Sequence, residues 1–296
     1  PSTLKKIQER AFMYASGLTA INLPQGLTTL GSNAFSGCPK VKSVYVPSSV
    51  TSIGTYAFSS CSKLEKVELH CGTVREYMFS GCSALTDIVF GSEVNTVQSY
   101  AFDNCDALTA VNYPARLGVF NGFSNCDGFV TLTIPEGITE IGEYACTGCD
   151  NLTTINFPKS LKRINGGAFS KCNSLNNITF NEGLEYIGEE AFYQSGLTEI
   201  RCPDTLTVID EGAFSQCSRL ASVTFTENLK EIGSEAFKYC PFTEIVIPSS
   251  ITFIGRNAFY KSGLTTLVLS EGLTRIDSSA FSYCDNLTEV SLPSSL

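Results

Sequence analysis

The residues that could carry chemistry in this sequence are thirteen cysteines and one histidine. Thiols in this number could form a disulfide framework or bind zinc. The segment Cys146-Thr147-Gly148-Cys149 has the Cys-x-x-Cys spacing of redox-active thiol pairs. The histidine, His70, is of the residue type that most often serves as a general base. A disulfide framework, a zinc site, a redox-active pair and a general base each require particular neighbouring residues. The spacing of residues along the whole sequence therefore distinguishes among these four interpretations.

The cysteines follow a regular spacing. Ten of them lie three residues after a recurring phenylalanine position: Cys38, Cys61, Cys82, Cys105, Cys126, Cys149, Cys172, Cys217, Cys240 and Cys284. The other three, Cys71, Cys146 and Cys202, take positions that hold Val or Phe in other repeats. A buried thiol packs as a small apolar side chain, so we predict a ladder of reduced cysteines. Stacked repeats ~4.8 Å apart would also be compatible with an occasional disulfide.

The redox, metal and general-base interpretations each lack the neighbours they need. The repeat explains both Cys146 and Cys149, and zinc requires several converging ligands, whereas these cysteines are strung one per repeat. His70 stands where many repeats have proline, with no nucleophile indicated near it, which favours a surface-loop histidine. No converging acid, base, nucleophile or phosphate loop is indicated. We therefore predict no catalytic residue, metal site or cofactor, and a protein that is not an enzyme.

A single repeat accounts for most of the sequence. An Ala-Phe pair or a degenerate copy recurs thirteen times at steps of 21 to 23 residues. From Ile53 to Leu64 the apolar residues fall on one arc, typical of a short helix or 3-10 segment. From Leu64 to Leu69 the apolar period is two, typical of a strand, and in many repeats proline follows the strand.

These patterns predict an α/β repeat solenoid. We expect residues 1–296 to form one domain, a right-handed superhelix of about thirteen rungs of 21 to 23 residues. One parallel sheet would line the concave face, with strands centred on Ile21, Val44, Val67 and their equivalents. Short helical or 3-10 segments would line the convex face. The repeat pattern is incomplete at both ends, so we expect exposed apolar end faces and a section of a longer chain.

Composition narrows the classes of partner. The net charge of −9 argues against nucleic acid and against an anionic membrane surface, both of which require clustered Lys and Arg. The longest apolar runs span only a few residues, so no membrane insertion is expected.

The motif Ile-Gly-x-x-Ala-Phe-x-x-Cys-x-x-Leu-Thr-x-Ile-x-Ile-Pro resembles the BspA-like, or Treponema-type, class of leucine-rich repeats of bacterial surface proteins. It is best seen over residues 254–269 and 276–293, and the resemblance covers the whole chain. It implies a curved leucine-rich-repeat solenoid, an extracellular or cell-surface location, and a role in adhesion or recognition. The class has no shared catalytic residues to carry over.

The binding residues follow from the alternation of side chains along a strand. Outward-facing positions of the predicted concave strip give these candidates: Tyr45, Lys66, Glu68, Asp87, Asn112, Asn156, Asn177, Glu199, Arg201, Glu244 and Glu289. We expect a monomer that presents this strip to a host or bacterial surface protein or glycan. The alternative is a structural spacer that displays another domain and has no ligand.

Two short rungs, near residues 70–78 and 115–122, would either form a local dent that a partner uses or be neutral variation.

Overall fold

Each copy of the repeat forms one turn of a coil, and equivalent residues of successive turns lie side by side. In the computed structural model, which describes residues 3–296, Val44 pairs in parallel with Val67, and Val67 with Ile88. The fold is a parallel β-solenoid of about twelve turns with the leucine-rich-repeat architecture. The prediction of thirteen rungs was therefore wrong. Thirteen copies of a motif delimit only about twelve complete turns, because a turn closes only when the chain returns to the equivalent position.

The predicted strands form what we call the long-strand face. It consists of Ser43–Val46, Lys66–Leu69, Asp87–Phe90, Thr131–Thr133, Thr154–Asn156, Asn177–Ile178, Glu199–Arg201, Ser222–Thr224, Glu244–Ile247 and Thr266–Leu269. Side chains alternate inward and outward, as in Ser43–Val46, where Val44 and Val46 are buried and Tyr45 is exposed. The predicted strand centres are confirmed from Val44 to Leu267 except at Val111, and the equivalent Val290 of the last rung is not in a strand. Ile21 forms an isolated parallel bridge with Val44.

The long-strand face is not the single sheet that we predicted. It is divided into pieces of three, three, two and two strands. The segment around Val111 forms no strand, and Tyr113, buried beside it, donates its hydroxyl hydrogen to the Val119 carbonyl. Elsewhere, pairing fails between Asn177–Ile178 and Glu199–Arg201, and again between Ser222–Thr224 and Glu244–Ile247.

The segments predicted to be helical begin with strands instead. These two-residue strands, the short-strand face, are Lys6–Ile7, Thr29–Leu30, Ser52–Ile53, Thr73–Val74, Thr96–Val97, Val119–Phe120, Glu140–Ile141, Arg163–Ile164, Tyr186–Ile187, Val208–Ile209, Glu231–Ile232, Phe253–Ile254 and Arg275–Ile276. Within residues 3–296 the one helix is the 3-10 turn Ala115–Leu117. The prediction of helical segments on every rung was wrong.

Backbone conformation explains why the Ala-Phe segment is not helical. Each rung turns through left-handed residues on either side of the phenylalanine, such as Tyr56 at φ 59° and Ser60 at φ 56°. A left-handed residue interrupts the repeating dihedrals of an α-helix. The Phe58 N–H accordingly donates 2.9 Å to the Met78 carbonyl of the next rung, not back along its own chain. We call this third side of the solenoid the turn side.

The core is a column of phenylalanine rings stacked from rung to rung. Neighbouring rings such as Phe192 and Phe214 lie nearly parallel, with centroids 5.3 Å apart. Most of these rings are fully buried, as is the preceding alanine in nearly every rung. Cys146 interrupts the column and is itself fully buried. Because each ring packs on the rings above and below it, the core runs the length of the coil.

Truncating one ring of this column should destabilise the whole coil. Phe169→Ala or Phe214→Ala should lower the free energy of unfolding by about 3–5 kcal/mol, the range for large core truncations. Urea denaturation followed by circular dichroism measures the change. The matched control is Phe12→Ala in the first rung, because Phe12 is 46% exposed and should lose far less. A loss below about 1 kcal/mol for Phe214→Ala would contradict an interior role for this column.

Candidate functional site

Four of the predicted binding residues lie together near the start of the long-strand face. Tyr45, Lys66, Glu68 and Asp87 occupy outward positions of three paired strands. The Lys66 ammonium lies 3.1 Å from a Glu68 carboxylate oxygen and 3.6 Å from one of Asp87. The hydrogen bond to Glu68, followed by the attraction of both carboxylates, raises the pKa of Lys66. The charges of this group largely satisfy one another, which leaves little for a ligand.

His70 joins this group. Its ring lies 5.1 Å from the Tyr45 ring, and its Nδ1 lies 3.2 Å from a Glu93 carboxylate oxygen. The backbone N–H of Glu93 and then the hydrogen bond to His70 lower the pKa of the Glu93 carboxyl. His70 is half-buried in this loop, in keeping with the predicted surface-loop histidine.

Four further candidates surround a cleft on the same face. Asn156 and Asn177 line a depression of about 360 Å³. Asn177, Glu199 and Arg201 line an adjoining depression of about 290 Å³. The two depressions share Asn177, Thr179 and Phe180, and we refer to them together as the cleft.

Part of the cleft lies at a break between two rungs of different length. The chain from Phe192 to Ile200 is one residue shorter than the equivalent stretch from Phe169 to Ile178. The strand Glu199–Arg201 does not pair with Asn177–Ile178, whereas it does pair with Ser222–Thr224 of the next rung. The same shortening, from Phe237 to Ile245, accompanies the next break in the face. Sequence alignment of the rungs carries this signal, but only the structure shows that a cleft results.

The remaining candidates stand apart. Asn112 lies where the long-strand face is interrupted, Glu244 lies on a strand beyond the second break, and Glu289 lies outside the strands. All three are exposed. The candidate set thus divides into an ion-paired group, a cleft and three isolated residues. Val246 and Val268 also hold outward positions of the predicted strip but were not among the candidates, and they are 60% and 46% exposed on adjacent paired strands.

The short rungs do produce a dent. A depression of about 580 Å³ on the short-strand face is lined by Arg75, Gln98, Asn121 and their neighbours. The rung through Asn121 lacks two residues between Phe120 and Phe123. The Ser99 hydroxyl therefore bonds to the Glu143 carbonyl two rungs away, across the shortened rung. The structure thus contains a dent beside the rung through Asn121, and its use by a partner stays a prediction.

The cysteine ladder has a hydrogen-bonding role that the sequence did not suggest. All ten thiols of the regular position donate to the backbone carbonyl of the Phe position in the preceding rung, at 3.1 to 3.4 Å. Serine takes this position at Ser195 and Ser262, and both serines are buried with a hydroxyl near the next thiol. The position therefore requires a small side chain that can donate a hydrogen bond.

The thiols are free and buried. All thirteen cysteines are unpaired and buried. Burial raises the pKa of Cys61 to about 12 and that of Cys146 well above its ordinary value. A redox-active thiol needs the opposite shift, toward a lower pKa. Within residues 3–296, no three His, Cys, Asp or Glu side chains are grouped so that they could hold a metal ion.

The comparisons with known proteins agree with this architecture. A sequence profile of the BspA type leucine rich repeat region matches in six copies, over residues 1–109, 119–221 and 186–296. The chain belongs to this family. The resemblance read from the sequence is confirmed. No curated protein matches the sequence.

Two solved structures similar to this BspA-type chain are bacterial leucine-rich-repeat proteins. One from Bacteroides ovatus is 26% identical with a TM-score of 0.61, covering 94% of this chain and 88% of that one. A leucine rich cell surface protein from Faecalibacterium prausnitzii is 24% identical with a TM-score of 0.51, covering 96% and 82%. Proteins of this family and fold are generally not enzymes. No helix within residues 3–296 is long and apolar enough to cross a membrane.

The BspA-type core predicts unreactive thiols in the folded chain. Labelling with iodoacetamide at pH 7.5 should modify fewer than one thiol per chain and should approach thirteen in urea without reductant. Raising the pH to 9.5 should change native labelling little, because a thiol with a pKa of about 12, such as Cys61, stays protonated there. An unfolded thiol near pKa 8.5 would be mostly thiolate. A urea count several short of thirteen would reveal disulfides and contradict a reduced ladder.

Proposed function

We propose that this chain is a non-catalytic recognition module of a bacterial cell surface. In this proposal it acts as a monomer and holds an extracellular partner, a protein or a glycan of a host or bacterial surface, against the long-strand face. Leucine-rich-repeat proteins generally bind proteins. A surface location is supported by the family and by the Faecalibacterium prausnitzii relative, which is described as a cell surface protein.

The cleft is the observation that carries this proposal. It offers depressions of about 290 and 360 Å³ side by side on the long-strand face. Its outward side chains include an amide at Asn177, a carboxylate at Glu199 and a guanidinium at Arg201. The strands beneath them fix these groups in space, so binding costs little ordering of the protein.

Arg201 is the residue best suited to anchor a partner. Its side chain is exposed, and no ion pair within residues 3–296 includes it. A guanidinium can form two parallel hydrogen bonds with one carboxylate, and arginine is enriched among interface hot spots. Lys66, by contrast, already has two carboxylate neighbours. The cleft therefore suits a partner that brings a carboxylate, such as an acidic peptide segment.

The geometry also favours binding over catalysis. Enzyme sites enclose the substrate and exclude water, which strengthens their electrostatic interactions. The cleft is shallow and open to solvent, and its Asn and Thr side chains offer hydrogen bonds without an activated nucleophile. We therefore assign it a recognition role.

Removing the arginine head group should weaken binding while the fold is retained. The whole chain is screened by biolayer interferometry against purified extracellular-matrix proteins and mucins, and the ligand that binds is then titrated. Arg201→Ala should raise Kd about ten-fold or more, equivalent to about 1.4 kcal/mol. Arg275→Ala is the matched control, since Arg275 lies on the short-strand face.

The competing role of a spacer predicts a different result. A spacer binds nothing in this panel, and Arg201→Ala would then change nothing. Binding that survives Arg201→Ala and Asn177→Ala at wild-type strength would place the partner elsewhere on the chain. Either outcome contradicts the cleft as the recognition site.

A further inference from the structure

A second surface, on the turn side, carries an inference separate from the cleft. The position two residues after each phenylalanine forms a column, because its N–H donates to the neighbouring rung: Lys171 to Tyr193, Gln194 to Ser215, Gln216 to Lys238, Tyr239 to Tyr260 and Lys261 to Ser282. In the C-terminal half the column contains Lys171, Gln194, Gln216, Tyr239, Lys261 and Tyr283. We call these six residues the C-terminal turn column.

The backbone of this column disfavours the residues it carries. Every member has a left-handed φ, from 54° at Lys261 to 63° at Tyr239. Glycine and asparagine tolerate this conformation, whereas bulky side chains rarely adopt it. In the N-terminal half of the same column the first rung has Tyr14 at φ 58°, and the six rungs after it follow that preference, with Gly37, Ser60, Gly81, Asn104, Asn125 and Gly148.

Six successive rungs therefore place large side chains where the fold prefers small ones. The hydrogen bonds between rungs are the same in both halves, as Phe35 to Ala57 and Phe214 to Ala236 illustrate, each at 2.8 Å. The fold itself consequently does not require these six residues. Bulky residues that occupy a backbone conformation unfavourable to them indicate a role other than folding.

The aromatic rings of this region meet edge to face and do not stack in parallel. Tyr239 and Tyr260 cross at 82°, and Tyr260 and Tyr283 at 65°. The N-terminal tyrosines Tyr56 and Tyr77, in contrast, stack in parallel at 4.8 Å and cover each other's faces. Tyr239 is 40% exposed and Tyr283 61%. Rings of this kind can pack against the C–H face of a sugar ring.

Two lysines accompany these rings. The Lys261 ammonium lies 5.5 to 5.8 Å from the centroids of Tyr239, Tyr260 and Tyr283. Lys238 lies 5.7 Å from the Tyr239 centroid and 2.8 Å from a Glu235 carboxylate oxygen. Within residues 3–296, no ion pair includes Lys261 or Lys171. Two lysines without ion pairs therefore lie on this side of a chain whose net charge is −9.

A depression lined with amides adjoins the rings. It measures about 610 Å³ and is lined by Asn173, Gln194, Gln216, Ser218 and Tyr239. The Gln194 amide nitrogen donates 2.9 Å to the Gln216 amide oxygen. An amide has both donors and an acceptor, so this bond leaves the Gln194 oxygen and the Gln216 nitrogen able to bond to hydroxyl groups.

We propose that the C-terminal turn column binds an extended acidic glycan, a chain of sugar rings bearing carboxylate or sulfate groups. The tyrosine faces would pack on sugar rings, the glutamines would bond to hydroxyls, and Lys171 and Lys261 would pair with the acidic groups. Successive rungs lie ~4.8 Å apart, close to the length of one sugar ring. The column can therefore meet one sugar per rung.

Single-stranded nucleic acid would also use aromatic rings and lysines. It is disfavoured here because the depression beside the rings is lined by amide and hydroxyl side chains, such as Gln194, Gln216 and Ser218, which suit the hydroxyl groups of sugars. The paired glutamines add donors and acceptors that suit the many hydroxyls of a glycan. An oligothymidylate therefore serves as one arm of the test.

The test is isothermal titration calorimetry of the whole chain with four probes: an oligogalacturonate hexamer, a heparin-derived hexasaccharide, neutral cellohexaose and a twelve-nucleotide oligothymidylate. At least one acidic hexasaccharide should bind ten-fold or more tightly than cellohexaose and the oligothymidylate, and salt should weaken it. Tighter binding of the oligogalacturonate would indicate recognition of carboxylate groups, and tighter binding of the heparin-derived probe would indicate recognition of sulfate groups. Equal binding of cellohexaose, or tightest binding of the oligothymidylate, would overturn the proposal.

Variants separate recognition from folding. Tyr239→Gly and Lys261→Gln should each weaken binding of the acidic probe at least five-fold. Tyr239→Gly should leave the thermal unfolding midpoint unchanged or higher, because glycine suits the left-handed backbone. Tyr14→Ala is the matched control, since Tyr14 holds the same position in the first rung and is 70% exposed. If Tyr239→Gly binds like Tyr14→Ala, or lowers the midpoint, the residue is structural and the proposal is wrong.

The two proposals fail independently. Arg201→Ala tests the cleft on the long-strand face and should leave binding of the acidic hexasaccharide unchanged. Loss of that binding in Arg201→Ala would place the glycan in the cleft and remove the turn column from the site.

Discussion

The structure depends on hydrogen bonds that run along the coil on its turn side. The N–H of each phenylalanine position donates to the rung that follows, as Phe169 does to Ala191 at 2.8 Å. Left-handed residues on both sides of the phenylalanine make this direction possible, because they turn the intervening peptide groups along the axis. Once the rungs are bonded in this way, the phenylalanine rings must stack, and the residue before each ring must be as small as alanine. The carbonyl of the phenylalanine position then accepts a hydrogen bond from the thiol of the next rung. One backbone arrangement thus determines the type of residue at three positions of the repeat, the phenylalanine, the alanine before it and the cysteine after it.

That arrangement fixes the interior and leaves the exterior free to vary. Changes in rung length are absorbed outside the phenylalanine column: the rung that is one residue shorter before Ile200 borders the cleft, and the rung that is two residues shorter before Phe123 borders the dent on the short-strand face. Substitutions at outward positions likewise change the surface without changing the stack. Both proposed sites lie on such variable surface, the cleft beside a shortened rung and the turn column at bulky residues in a left-handed position. A repeat protein of this kind can change what it binds while keeping its fold.

Much of the fold could be predicted from the sequence, because inward positions recur with a fixed period. The family, the parallel strands centred on Val44 and Val67, and the inward phenylalanines and cysteines all followed from that period. The helical segments were wrong because the apolar residues after Ile53 fit a helical arc, yet left-handed residues fold the chain into turns there. Among the binding candidates, alternation identified the outward residues, and Asn177, Glu199 and Arg201 do meet at the cleft. The breaks that make the cleft depend on pairing between rungs, which a periodic pattern does not encode.

The most direct test of rung-to-rung stacking is hydrogen exchange of the backbone amides, followed along the chain by mass spectrometry. Backbone hydrogen bonds between rungs, along the axis of the solenoid, predict that the amides of the Ala-Phe segments exchange slowly, although these segments contain neither a helix nor a standard strand. Protection should be greatest in the central rungs, around residues 155–223, and should fall toward both ends, because an end rung has only one neighbour. Ala-Phe segments that exchange as fast as exposed loops, or protection that is uniform from the first rung to the last, would contradict the axial stack.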